Sequence, residues 1–353
     1  MLFLIYVYVL FFMFVIYALA KQNSIINNDY LSNFFQFNMV FISTYIIVIT
    51  DNDYIDRGVY STRFIEIQNS TLLDSINSIG WEPFFVALMK LISLFTSNLT
   101  IFYIALHLIF LFILLSGLKK IFDDNKIRVI VFFVYLNYTF YFGYTLNGLR
   151  QGIAMTLIVL AIGYAIENKK LKMIFVSIVS IFFHYTIIPV AIMVVLTYYW
   201  KRMKISYLTF IYVLLTFFYV TGLNQYIFGS LPVGDFESYL QEDSIQDFGG
   251  ANKLSYLLFN TSWLLFFLFI FRNHSRDKIY AFLIKVYILT SIYLLSFGFI
   301  AFANRIASYS WFIIPLLLGY LIYKSKNSIL NISILILIFI AGFITGIPNY
   351  ILE

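Results

Sequence analysis

Long continuous apolar runs, each about 15 to 22 residues, follow one another along nearly the whole of this chain. Hydrophobic residues make up 62% of the 353 positions and charged residues only 11%, whereas soluble domains carry about 25% charged residues. A soluble fold of this length could not bury so much apolar surface. The strands of a membrane barrel would alternate apolar and polar residues, but these runs are unbroken and have the length of membrane-spanning helices. The sequence therefore predicts an all-α polytopic membrane protein.

The residue types and patterns that are missing exclude several classes of chemistry. The chain has no cysteine, which excludes disulfides, thiolate metal sites and a cysteine nucleophile. It contains no Rossmann or P-loop pattern, so we expect no nucleotide site, and no nucleic-acid partner is predicted. Residues 2–20 are apolar but lack a basic start and a clear small-residue cleavage site, so we expect no cleavable signal peptide.

Positive charge is concentrated in a few short loops. By the positive-inside rule these loops should all lie in the cytoplasm, and a topology of about twelve helices with both termini outside satisfies that condition. The predicted spans are residues 2–20, 33–50, 99–118, 128–146, 149–166, 171–186, 187–200, 205–221, 255–271, 279–300, 302–323 and 328–346. The basic loops hold Lys119, Lys120, Lys126 and Arg128; Lys169, Lys170 and Lys172; Lys201, Arg202 and Lys204; Arg272, Arg276 and Lys278; and Lys324 and Lys326.

This topology requires that residues 82–97 do not cross the membrane. The segment carries Glu82, Pro83 and Lys90 within about sixteen residues, and we interpret it as an amphipathic helix in the outer interface. If it crossed, every later basic loop would fall outside. Segments 51–81 and 222–254 become two long outer loops, and loops of this length are often functional lids. The whole chain, residues 1–353, is predicted to be a single transmembrane domain.

Arg150, at the start of the apolar run 149–166, is the charge that most needs an explanation. An arginine at the centre of a membrane helix costs roughly 2.5–3.5 kcal/mol, so such a residue is a functional-site candidate. Arg305 opens the run 302–323 in the same way. Two arginines at outer helix starts could clamp a diphosphate, because the guanidinium fork suits phosphate oxygens and helix N-termini add partial positive charge. Alternatively, Arg150 could form a structural ion pair with an acid of the outer loop. The other predicted substrate-binding residues are Gln151, Arg57, Asn304 and Tyr309.

Five residues are candidates for proton transfer. His184 lies at the outer end of its predicted span and has an ordinary pKa near working pH, although it could instead be a packed, hydrogen-bonded residue. The other four are acids in or beside the first outer loop: Asp51, Asp53, Asp56 and Glu82. The Asp51-Asn52-Asp53 segment looks like a DxD metal motif, but the glycine and terminal glutamate of a calcium loop are missing. We predict no metal and no cofactor.

Five short motifs occur in order along the chain. They are Asp56-Arg57-Gly58-x-Tyr60, Trp81-Glu82-Pro83-Phe84, Leu149-Arg150-Gln151-Gly152-Ile153-Ala154, Phe183-His184-Tyr185 and Asn304-Arg305-Ile306-x-x-Tyr309. Their order resembles the EpsG family of Wzy-like polysaccharide polymerases, and the likeness covers most of the chain. Tyr185 stands where that family usually has a small residue. The resemblance implies a GT-C type glycosyltransferase of the bacterial inner membrane, which uses a polyprenyl-linked donor on the periplasmic face.

The predicted reaction is the polymerisation of O-antigen, as in lipopolysaccharide biosynthesis, or of a similar surface glycan. A hydroxyl of one undecaprenyl-diphosphate-linked repeat unit attacks the anomeric carbon of a growing chain, and undecaprenyl diphosphate leaves. Arg150 and Arg305 would neutralise that leaving group, and His184 or one of the acids would take the proton. The predicted partners are the undecaprenyl-diphosphate-linked oligosaccharide, membrane lipid and a chain-length regulator.

Three other activities also fit a polytopic bundle with outer arginines. A flippase or transporter of lipid-linked oligosaccharides should show two related halves and charges on both sides, and neither is evident. A membrane O-acyltransferase would use an intramembrane histidine, for which His107 or His184 could serve. An O-antigen ligase shares the polymerase's chemistry, so the residues distinguish the two poorly.

Overall fold

A computed structural model describes residues 29–50, 56–138, 140–200, 202–229, 252–274 and 277–324, with 333, 334 and 336. Within these residues the chain is almost entirely helical and has no β-strand, which confirms the all-α prediction. The helices are α1 (Asp29–Ile49), α2 (Arg57–Gln68), α3 (Leu72–Ile79), α4 (Pro83–Ser93), α5 (Leu99–Ile121), α6 (Asn125–Asn137), α7 (Phe140–Asn147, ending in a π-helical turn), α8 (Leu149–Ile166), α9 (Lys170–Ile181), α10 (Ile188–Tyr199), α11 (Ile205–Thr221), α12 (Leu223–Phe228), α13 (Leu254–His274), α14 (Lys278–Phe297), α15 (Ala303–Trp311) and α16 (Ile314–Lys324).

Several of these helices have the length and apolarity of membrane spans. In the described part of the chain six segments qualify, namely α1, α5, α8, α13, α14 and the continuous stretch Ala303–Ile322. The pair α6 and α7 makes a seventh if its 82° bend is counted as one broken span. The predicted spans 2–20 and 328–346 lie wholly or almost wholly outside the described residues. The structure therefore supports a multi-pass membrane protein. The predicted number of about twelve spans stays a prediction.

The segment predicted as the first outer loop is largely helical, since α2 and α3 fill most of it. Helix α4 follows and has 11 residues, which is roughly 16 Å of helix against a hydrocarbon core of about 30 Å. It is shorter than that core, and the placement of residues 82–97 in the outer interface stays a prediction. Lys90 of α4 donates from Nζ to the carbonyls of Ile67 and Gln68, at 3.0 and 3.2 Å. This lysine caps the last turn of α2 and ties the two helices together.

The described helices divide into two compact units, although the sequence predicts one domain. The first contains the described residues up to Ile187 and those from Leu318, and the second is Ile188–Leu317. In the first unit α8 packs closely against both α5 and α9. A Cβ at Gly117 of α5 would lie 2.9 Å from the backbone nitrogen of Leu160 in α8, and one at Gly163 would lie 3.1 Å from the carbonyl oxygen of Gly117. Small residues thus let these two backbones approach, as is common between membrane helices.

The second unit is organised around α14, which packs against α10, α11, α12, α13 and α15. Its buried polar groups bond to one another. The side-chain oxygen of Asn260 accepts hydrogen bonds from the hydroxyls of Tyr287 and Ser310, at 3.1 and 2.9 Å. These bonds join α13, α14 and α15, and they satisfy polar atoms that lack access to water.

Candidate functional site

The loop between α3 and α4 places a glutamate at the centre of the site. Helix α3 ends at Gly80, whose φ of +68° is left-handed, the usual conformation of a glycine that ends a helix. Pro83 occupies the first position of α4, where its missing N–H costs nothing. Glu82 stands between them, and its side chain makes no capping bond to α4. Its carboxylate therefore bonds to residues of other elements.

Arg150 of α8 reaches this carboxylate. Its Nη1 lies 2.6 Å from Oε2 of Glu82, and its guanidinium carbon is 4.6 Å from the centre of the Trp81 ring. The Tyr60 hydroxyl lies near it and interacts with its charge. The side chain of Glu82 is 6% exposed and that of Arg150 is 22% exposed. The structure thus shows Arg150 in an ion pair with Glu82, and the predicted contact of Arg150 with a substrate stays a prediction.

His184 bonds to the other oxygen of the same carboxylate. The chain leaves α9 after Ile181, and His184 then lies with Nδ1 2.9 Å from Oε1 of Glu82. The backbone N–H of Tyr185 donates to the same oxygen at 3.2 Å. An ionised carboxylate can only accept hydrogen bonds, so Nδ1 carries a proton. In neutral His184 the lone pair is consequently on Nε2.

These contacts decide the protonation state of Glu82. Burial by itself would raise the pKa of this carboxyl, but the hydrogen bond from His184 and the charge of Arg150 outweigh burial and lower it to about 2. A carboxylate with so low a pKa is a poor proton acceptor. Glu82, predicted as one of the proton-transfer residues, therefore orients His184 and holds Arg150. We call these three residues, with Tyr60 and Trp81, the Glu82 cluster.

Arg57 makes structural contacts inside the protein, and its predicted substrate contact stays a prediction. It is 1% exposed, and its Nη1 donates to the carbonyls of Ile47 and Thr50 at 3.3 and 3.1 Å. Its guanidinium carbon is 3.9 Å from the centre of the Tyr103 ring, and the Tyr103 hydroxyl donates to the carbonyl of Arg57. The arginine thus satisfies the last carbonyls of α1, which a helix end leaves without partners.

The remaining predicted residues are distributed over the chain. Gln151 is buried in the first turn of α8 beside Arg150, and Asp56 immediately precedes α2. Asp51 and Asp53 lie outside the described residues, as does most of the loop 222–254. Their predicted roles stay predictions.

The predicted residues of α15 belong to the second unit. Arg305 is part-buried, with its guanidinium carbon 4.4 Å from the centre of the Phe302 ring, and Asn304 is exposed. Tyr309 is fully buried and stacks on Tyr293 with ring centres 6.1 Å apart. Tyr309 therefore lies in the core of its unit, and its predicted substrate contact stays a prediction.

The sequence did not identify Tyr60 and Trp81 as site residues. Both residues belong to the motifs that carried the family resemblance, and Trp81 directly precedes Glu82. Their position in these motifs was the one sequence feature that could have identified them. Their contact with Arg150 joins α2, the α3–α4 loop and α8, which are far apart in sequence.

Comparison with known proteins agrees with the motif order. The chain matches no curated protein and no solved structure. The EpsG family model matches residues 55–350, most of the 353-residue chain, and this range includes the whole Glu82 cluster. The resemblance inferred from the motifs is thereby confirmed. The chain belongs to the EpsG family, whose members are Wzy-like polymerase-type membrane proteins.

Proposed function

We propose that this protein is a polysaccharide polymerase that joins undecaprenyl-diphosphate-linked repeat units on the periplasmic face of the bacterial inner membrane. It transfers the growing glycan from its lipid carrier onto a new lipid-linked repeat unit, as a GT-C type glycosyltransferase. Membership of the EpsG family and the multi-pass helical architecture support this reaction class. The site is the Glu82 cluster.

The observation that carries the proposal is one carboxylate shared by a cation and an imidazole. Glu82 binds Arg150 through Oε2 and His184 through Oε1. The carboxylate holds the imidazole in the tautomer whose Nε2 can accept a proton, which is the role of an acid beside a catalytic histidine. The arginine provides positive charge next to that base, where an anionic leaving group would need it.

The reaction follows from these two groups. The acceptor hydroxyl attacks the anomeric carbon of the donor's lipid-proximal sugar as its proton passes to Nε2 of His184. The bond between that carbon and the diphosphate oxygen breaks, and undecaprenyl diphosphate departs with the electron pair. Arg150 stabilises the charge that develops on the leaving oxygen, and Glu82 stabilises the imidazolium that forms. A single displacement of this kind inverts the anomeric centre.

Several further residues are assigned a role from the sequence alone. Arg305 is a second candidate for the diphosphate, Asp51, Asp53 and Asp56 are further candidates for proton transfer, and the loops 51–81 and 222–254 would cover the sugars. A chain-length regulator is the candidate protein partner.

The first test is a gel of surface polysaccharide from a strain lacking this gene. We expect the ladder to collapse to core plus a single repeat unit, since export and ligation would continue. Loss of every repeat unit would indicate a flippase or ligase, and loss of acetyl groups with normal chain length would indicate an acyltransferase. An unchanged ladder would remove the protein from glycan assembly.

Complementation with variants then tests the site. Arg150→Ala should lower the polymerisation rate by roughly 10²–10³-fold, the usual cost of losing a donor to developing charge, and His184→Gln by roughly 10²–10⁴-fold, the usual contribution of a general base. Arg63→Ala is the matched control, because Arg63 lies on α2 in an exposed pair with Glu66. Normal long chains from Arg150→Ala and His184→Gln at equal protein level would refute the assignment.

A further inference from the structure

Three aromatic rings meet beside Arg150, and they differ in exposure. Tyr60 and Trp81 have ring centres 5.2 Å apart, Tyr60 and Phe85 5.7 Å, and Trp81 and Phe85 6.1 Å. Phe85 is fully buried and Tyr60 is 6% exposed, whereas Trp81 is part-exposed. Trp81 is thus the member of this aromatic group with surface outside the protein core.

Trp81 is also fixed in place. Phe85 and Tyr60 pack beside its ring, and the Arg150 guanidinium lies 4.6 Å from its centre. Its backbone is set by the left-handed Gly80 on one side and by Pro83 at the start of α4 on the other. A large, rigid aromatic surface loses little conformational entropy when a ligand binds to it.

The covalent structure of the proposed donor determines what must lie next to Arg150. In a lipid-linked glycan the first sugar is joined to the diphosphate through a single oxygen, so its ring begins one bond beyond the phosphate. A diphosphate bound by Arg150 therefore brings this sugar within a few ångströms of Trp81. The C–H groups on one face of a pyranose carry partial positive charge, and the face of an aromatic ring is negative. A pyranose can therefore stack on an indole.

We propose that Trp81 is the stacking platform for the sugar attached directly to the diphosphate of the lipid-linked substrate. This inference rests on the proposed function and adds a subsite to it: Arg150 binds the diphosphate, and Trp81 recognises the adjoining pyranose. Phe85 and Tyr60 support the platform from the protein side. The subsite selects sugars that have a continuous C–H face.

The rival role for Trp81 is to hold Arg150 without touching the sugar, and fluorine NMR separates the two. The full-length protein is labelled with 5-fluorotryptophan in lipid nanodiscs, and its four tryptophans are assigned by single Trp→Phe substitutions. Two probes are added in turn: undecaprenyl diphosphate, and the lipid-linked repeat unit extracted from the deletion strain. Trp200, which is exposed and follows α10, is the control resonance.

We expect the Trp81 resonance to shift with the sugar-bearing lipid well beyond its shift with undecaprenyl diphosphate, while the Trp200 resonance stays constant. Equal shifts with both lipids would overturn the platform and leave Trp81 as a support for Arg150. Binding of both lipids with no Trp81 shift would overturn it as well. Failure of both lipids to bind, measured by competition with a labelled lipid diphosphate, would instead overturn the proposed function on which this inference rests.

Variants give an independent measurement. Trp81→Leu should raise KM for the lipid-linked repeat unit by roughly 2- to 10-fold, the range expected from one aromatic contact, and leave the affinity for undecaprenyl diphosphate nearly unchanged. Trp81→Phe, which keeps an aromatic face, should recover most of the loss. An equal loss of affinity for both lipids in Trp81→Leu would contradict the proposal.

Discussion

Each oxygen of the Glu82 carboxylate binds a different side chain, and these two contacts position both Arg150 and His184. Oε2 neutralises Arg150, and Oε1 accepts from His184 and from the backbone of Tyr185. Removal of one partner from a buried ion pair costs about 3–5 kcal/mol, because the other charge is left uncompensated. The arginine is thus stabilised by a group that also orients the base.

The pKa of Glu82 makes this arrangement sensitive to acid. Folding lowers the pKa from 4.5 to about 2, so the folded state gains stability from this carboxylate above about pH 4.5 and loses it as the pH falls from there toward 2. Glu82→Gln should therefore lower the thermal unfolding temperature in detergent more at pH 6 than at pH 3.5. A Glu66→Gln variant, in an exposed pair, should show a small effect at both values. The same deficit for Glu82→Gln at both pH values would contradict the low pKa.

At the scale of elements, the break between α6 and α8 controls where Arg150 lies. The chain bends by 82° between α6 and α7, passes through a π-helical turn and enters α8 at Leu149. Polar backbone at membrane depth is tolerated only where protein or a water-filled cavity satisfies it, and π-turns often occur at functional sites. The turn brings the start of α8 to the carboxylate of Glu82.

Gly152 allows this turn to pack against α8. A Cβ at Gly152 would lie 2.7 Å from the carbonyl oxygen of Tyr144 and 3.1 Å from the Tyr144 Cβ, so backbone would have to move. We expect Gly152→Ala to displace Arg150 and to shorten the glycan chains on the polysaccharide gel. Gly143→Ala is the matched control, since a Cβ at Gly143 meets nothing within 4 Å. Equal chain lengths from the two variants would show that the turn can shift without effect on the site.

At the scale of the whole molecule, α8 separates the site from a basic surface. The helix has 18 residues, roughly 27 Å, with Arg150 in its first turn and Glu167 directly after its end. Glu167 pairs with Lys169 at 2.9 Å and with Lys120 at 3.4 Å. The two ends of a spanning helix of this length lie at opposite membrane surfaces.

This geometry predicts the result of a cysteine-labelling experiment. The chain has no cysteine of its own, so single cysteines can be introduced into an unreactive background. Glu66→Cys, at an exposed position of α2, should react with a membrane-impermeant maleimide in cells whose outer membrane alone is opened. Lys169→Cys should react only after the inner membrane is permeabilised. The reverse pattern would place the Glu82 cluster in the cytoplasm and contradict the proposed topology.

The sequence alone determined the all-α membrane class, the helix over residues 149–166 and the order of motifs that indicated the family. These features are local or additive, since hydropathy, charge position and motif order need no knowledge of the fold. It also named Arg150, because a charge beside an apolar run is costly, and Glu82 and His184 as candidates for proton transfer.

Only the tertiary structure decided how these residues act together. Arg150 lies 68 positions from Glu82 in the sequence, and His184 lies 102 positions from it. No local sequence pattern encodes such pairings. The sequence likewise gave no sign that the buried guanidinium of Arg57 packs on Tyr103, 46 positions away. A side chain's role depends on the groups that surround it after folding, and those groups come from distant segments brought together by helix packing.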